Sequence, residues 1–195
     1  MAPTLADAVR WPLDADEIRL RLTDRTVARL PAVTRRVWRT AREQPAGSRL
    51  RRWLLNRVLT SGWAALDRKD WDLLEAFYDP DVVVVTGEGI PLDWGTTHGW
   101  AETRTRFDQF YEVAFSNWRP SEALDLGGPF VAVRVDGTVT GLSTGIALSQ
   151  KLTYVYEIGN EGRVVRQWGS SNPGEIEAWL AEGGATSSRS SIEPG

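Results

Sequence analysis

The chain reads as an α+β protein, with helices gathered on one side of a curved antiparallel sheet. Three observations carry that reading. Apolar residues recur at helical spacing in most segments as far as Ala114; one β-branched run, VVVV at 82–85, interrupts them; and alternating segments follow in close succession from residue 118. Such a sheet leaves a hollow that side chains or a ligand must fill.

Residues 14–30 spell a helix with acids in its first turn and Pro31 just past its end. A second short helix is expected over 32–43, burying Val33, Val37 and Trp38. QPAGS at 44–48 is a break, and Ser48 is placed to cap a helix over 49–67. That helix carries two apolar stripes. Leu50, Trp53, Leu54, Val58 and Ala65 form one, and Leu55, Leu59, Trp63 and Leu66 form the other. A helix apolar on two sides is covered on two sides, here by the sheet and by the N-terminal helices. Residues 1–47 are therefore expected as a helical extension packed on the domain.

DWDLLEAFY at 70–78 predicts a short helix, closed by Asp79–Pro80 before the strand at 82–85. The turn-forming stretch at 86–99 predicts a long loop, with a short strand in it as the alternative, and Trp100, Phe107, Phe110, Tyr111 and Ala114 then fall on one helical stripe. Strands are expected at 118–126, 129–136, about 143–158 and 163–170, with GNEG at 159–162 as a hairpin turn. Asn172-Pro173-Gly174-Glu175 opens a last helix, expected to end near Gly183–Gly184. Residues 48–183 make up the domain, and 184–195, which lack apolar periodicity, are expected as a disordered tail.

Composition narrows the chemistry. Among 195 residues there is no Cys and one His, which removes disulfides, thiolate nucleophiles, sulfur-ligated zinc and poly-His metal centres. No metal or cofactor is expected. Ten Trp imply an interior of large apolar surfaces that also donate hydrogen bonds. The net charge of −3 is uneven: residues 1–60 hold 13 Arg and six acids, and the remainder is acidic. The basic segment could dock on its own acidic remainder; without a recognition helix, zinc finger or RNA-binding motif, no nucleic-acid partner is expected. No run approaches the ~18–20 apolar residues of a membrane span, and no signal-peptide pattern is seen, so a cytoplasmic protein with no membrane partner is expected.

GWAALDRKDWDLLEAFYDPDVVV resembles the opening of the SnoaL-like branch of the nuclear transport factor 2-like superfamily, where a long helix, a "(G/N)-D-(W/F)" turn and a short helix lead into the first strand. THGWAETRTRFDQFYEVAF and LTYVYEIGNEGRVVRQWGSSNPGEIEAWL resemble the branch's third helix and its closing hairpin. Together these cover about residues 50–182. The resemblance implies a cone-shaped roll, a curved sheet wrapped by helices around an apolar pocket, commonly in a homodimer. Polyketide cyclases, ketosteroid isomerases, epoxide hydrolases and dehydratases share the fold, so fold alone does not give the reaction.

The leading expectation is binding of a hydrophobic small molecule. One alternative is cofactor-free isomerase or cyclase chemistry by proton transfer on a polyketide-like or steroid-like substrate; another is a non-enzymatic interaction or oligomerisation module. Proton transfer needs a base and a donor to the enolate oxygen. The resemblance places the base position near Thr86, which has no basic group; Glu88 shares its strand parity and is the candidate, with His98 as the second. Tyr154 stands at the oxyanion-binding position, and Tyr156 shares its strand face. Asp93, Trp94, Trp100, Phe107 and Tyr111 complete the expected ligand contacts. Bland readings stand beside these: Glu88 as a loop carboxylate, His98 as a loop residue beside Gly99, and the aromatics as core. An epoxide-hydrolase-like reading finds Arg134 and Asp136 but no second Asp near Gly169.

Overall fold

The computed structural model describes residues 2–13, 31–90 and 95–189, with side chains as far as Glu182. The helix expected over 14–30 lies outside the described residues, as do Asp93 and Trp94. In chain order the elements are β1 (Val9–Pro12), α1 (Pro31–Glu43), α2 (Arg49–Asp67), α3 (Trp71–Phe77), β2 (Tyr78–Thr86), β3 (Thr96–His98), α4 (Trp100–Val113), β4 (Ala114–Gly127), β5 (Phe130–Gly141), β6 (Ala147–Ile158), β7 (Val164–Ser170) and α5 (Pro173–Arg189). Seven strands form one open sheet in the order β1-β4-β5-β6-β7-β2-β3. The sheet is not wholly antiparallel: β2 runs parallel to β7, and every other pair is antiparallel. Register shifts at Pro120/Glu122 and Asp125/Gly127 bend the β4–β5 ladder, the long arm of the sheet.

Strand alternation sends the two faces into different cores. Val131, Val133, Val135, Tyr156 and Ile158 face α1, α2 and α3, where Trp38, Leu55, Leu59, Trp63, Leu74 and Phe77 meet them. Phe130, Ala132 and Val155 face the other way, onto Ile176, Trp179 and Leu180 of α5. Asn172 caps α5 by accepting from the Gly174 amide at 2.9 Å. The helix continues through Gly183–Gly184 to Arg189, past its expected end, because glycine weakens a helix without forbidding it.

The first 47 residues supply both a strand and a helix. Trp11 of β1 pairs with Ala123 of β4, and α1 packs on α2. In α1 the buried residues are Thr34, Trp38 and Ala41; Val33 is exposed, contrary to expectation. Gly162 in the β6–β7 turn has φ 72°, and a Cβ there would stand 1.9 Å from the Arg35 carbonyl oxygen, so the turn seats directly on α1.

In α2, Ser48 caps the first turn by accepting from the Arg51 amide at 3.2 Å. The expected stripes hold from Leu54 onward, but Leu50 and Trp53 are exposed, and Arg51 turns inward instead. Its fully buried guanidinium lies 2.8 Å from a fully buried Asp125 carboxylate on β4. It also donates to the carbonyls of Ala41 and Arg42 at the end of α1 and to those of Gly128 and Phe130 at the β4–β5 turn. Asp125 accepts in addition from the Gly47 and Gly127 amides. One cation thus ties α1, α2 and the sheet together.

Candidate functional site

Between α2, α3 and α4 and the inward face of β2, β6 and β7 lies a cavity of about 90 Å³. Tyr78, Tyr111, Tyr154 and Tyr156, the four tyrosines of the chain, all line it, with Trp38, Trp63, Trp118, Phe107 and Phe110. The polar groups of its lining are these phenols, Thr86, Gln167 and tryptophan N–H groups; among the described residues it has no carboxylate, imidazole, amine or guanidinium.

Each phenol has a traceable position. Tyr78 opens β2 and donates to Gln167 Oε1 on β7 at 2.5 Å. Trp100 stacks behind it, ring centroids 5.0 Å apart and planes at 14°. Tyr154 and Tyr156 alternate onto the same face of β6 and pair with Gly169 and Gln167 of β7. A Cβ on Gly169 would stand 2.6 Å from the Tyr154 ring, so that glycine makes room for the phenol. Trp63 meets the Tyr154 ring edge-on at 5.5 Å. Among the described residues neither the Tyr154 nor the Tyr156 hydroxyl has a hydrogen-bond partner. Burial raises the pKa of Tyr78, Tyr154 and Tyr156 above the ordinary phenol value, with smaller additions from the neighbouring phenols for the last two. At Tyr111 burial also dominates, partly offset by a hydrogen bond with Ser116. All four are therefore neutral at physiological pH, able to donate a hydrogen bond to a ligand oxygen and unfit as bases.

Of the expected site residues, Thr86, Phe107, Tyr111, Tyr154 and Tyr156 line the cavity. Trp100 is buried one layer behind it. Glu88 and His98 do not reach it. β2 ends at Thr86, and Gly87–Gly89 turn the chain away; the Glu88 amide donates to Glu175, its carbonyl accepts from the Ser171 amide, and its carboxylate accepts from Asn172. Glu175, sharing the Ser170 hydroxyl and the Glu88 amide, is held below the usual carboxylate pKa. In β3, Thr97 turns inward to meet Thr103 at 2.9 Å, so alternation turns the adjacent His98 outward. The proton-transfer scheme built on Glu88 or His98 thus has no base in this cavity. Arg134 pairs across the ladder with Glu122 at 2.8 Å, and Asp136 lies 4.0 Å from Lys151; neither residue lines the cavity.

Sequence reading missed Tyr78, Gln167, Gly62 and the wall tryptophans. Gly62 stands inside α2, where glycine costs roughly 1 kcal/mol relative to alanine. A Cβ built there meets no atom within 4 Å, and the residue lines the cavity. An adjoining outer chamber of about 410 Å³ shares Trp63, Leu66, Tyr111 and Trp118 with the inner one and adds Asp67, Lys69, Ser116, Asn117 and Arg119.

The sequence profile of the SnoaL-like domain matches residues 60–167, more than half of the chain. The chain belongs to this family. The SnoaL-like domain shares its fold with an NTF2-like protein of unknown function from Burkholderia pseudomallei, at TM-score 0.53 and 23% identity over 62% of this chain and 92% of that one. It is also similar to a candidate polyketide cyclase from Xanthomonas campestris pv. campestris, at TM-score 0.51 and 16% identity over 64% and 94% of the two chains. TerC, co-crystallized with polyporic acid, matches at TM-score 0.52 and 19% identity over 64% and 96%. Such identities establish the fold, the cone-shaped α+β roll. No curated protein matches the chain. Among the described residues there is no group of three or more His, Asp or Glu that could hold a metal, and no helix long and apolar enough to cross a membrane.

Proposed function

We propose that this SnoaL-like domain binds a hydrophobic small molecule between α2 and the inward face of the sheet, using its own side chains without a cofactor. The observation that carries the proposal is the lining itself: an apolar cavity onto which four neutral phenols converge, held open by a helix glycine that alanine would better. Tyr154 and Tyr156, with no hydrogen-bond partner among the described residues, supply hydrogen bonds to an oxygen of the ligand. The described lining, of phenols, one amide, Thr86 and apolar side chains, favours binding a ligand by shape and hydrogen bonds.

N-Phenyl-1-naphthylamine, a neutral aromatic whose emission rises in apolar surroundings, tests the proposal. One saturable site is expected in the wild type, with binding lost in Gly62→Leu at an unchanged or higher Tm. Equal binding by the folded variant would reject it.

A further inference from the structure

The inner chamber is small. An apolar cavity of about 150 Å³ takes a benzene ring, and this one has about 90 Å³. A ligand of more than one ring must therefore extend past Trp63, Leu66, Tyr111 and Trp118 into the outer chamber.

Lys69 stands at that seam. It occupies φ 55°, the left-handed position after a helix end where glycine is the usual residue, and it is the only non-glycine with positive φ among the described residues. Its amide still closes the helix on the Leu66 carbonyl at 3.0 Å, as a glycine's would. Local preference thus runs against Lys69, as it does against Gly62, and both line the two-chambered space. Rule-breaking of this kind gathers where function sets the residue. The Lys69 ammonium lies 4.2 Å from the centroid of the Tyr111 ring, and Tyr111 borders both chambers. A ring face positions a cation without neutralising it. No described carboxylate pairs with Lys69. Around it the outer chamber presents Arg119, Ser116 and Asn117, against a single carboxylate, Asp67.

We infer that the ligand is an amphipathic aromatic anion, its rings running from the inner chamber through the seam at Trp63, Tyr111 and Trp118 and its acidic group in the outer chamber, against Lys69. This rests on the binding reading above and adds the charge and the orientation of the ligand.

Two probes that differ by one sulfonate separate the claims: N-phenyl-1-naphthylamine and 1-anilinonaphthalene-8-sulfonate. Lys69→Met is expected to weaken the sulfonate probe by about fivefold or more and the neutral probe by less than about twofold. Lys69→Gly, which suits the left-handed backbone, gives the same loss with a raised Tm. Asp67→Asn tightens the sulfonate probe, and added salt weakens the sulfonate probe alone. The inference is overturned if Lys69→Met leaves the sulfonate probe unchanged, if both probes weaken together, or if the sulfonate probe persists in Gly62→Leu. Should the wild type bind neither probe, the underlying binding reading falls with it.

Discussion

Arg51→Met removes the cation from a fully buried ion pair. The Asp125 carboxylate keeps the Gly47 and Gly127 amides, each at 2.9 Å, so it is not wholly stranded. The carbonyls of Ala41, Arg42, Gly128 and Phe130 lose the Arg51 donor as well. Breaking one side of a buried pair costs about 3–5 kcal/mol, a large share of a domain's ~5–15 kcal/mol. At about 2–4 °C per kcal/mol for a chain of this size, Tm falls by about 6–20 °C. Asp125→Asn strands the guanidinium and is expected in the same range. The double variant should be less destabilised than the sum of the two, by more than about 1 kcal/mol, since each single change already forfeits the shared bond. Urea unfolding of the four proteins measures these quantities. Single variants within 1 kcal/mol of wild type, or strict additivity, would refute the assignment of Arg51 as the tie between α1 and the sheet.

Gly62→Ala is expected to raise stability by about 1 kcal/mol, because the methyl improves helix propensity and meets open space; an unchanged or lower Tm would refute the account of that glycine. The four phenols are neutral in the fold because burial raises their pKa, so their stabilisation is complete below the ordinary value of 10 and is lost as pH rises through the folded values. Absorbance at 295 nm should therefore stay flat through pH 10 and rise together with unfolding; a separate phenolate step near 10 in the folded protein would contradict this. We propose a homodimer that uses the exposed Phe115, Leu142, Ile146 and Leu148 at the β5–β6 end of the sheet. Light scattering should give a dimer that Ile146→Asp converts to monomer, and a monomeric wild type would reject it.

The long elements were legible because their periodicity is unambiguous: the spacing of α2 and α4, the VVVV strand and the GNEG hairpin all lie where the residues place them. Tyr154 followed from the resemblance, by its distance from Gly162, and Tyr156 from strand parity. Glu88 failed because parity holds only while the strand lasts: β2 ends at Thr86, and the Glu88 amide then donates to the Glu175 carboxylate while its carbonyl accepts from the Ser171 amide. His98 failed by a single residue of alternation. Tyr78 and Gln167 were hidden because their meeting depends on β2 running parallel to β7, a pairing between segments some ninety residues apart. Arg51 lay on what reads as a polar helix position, and only the ladder that brings Asp125 beneath it makes burial tolerable.

A crystal structure of the protein saturated with N-phenyl-1-naphthylamine locates the bound ligand directly. Density is expected against Gly62, with one ring beside Tyr78 and Tyr154 and the others passing Trp118 and Tyr111 into the outer chamber. Density confined to the exposed surface around Ile146 and Leu148, with the cavity between α2 and the sheet empty, would contradict this.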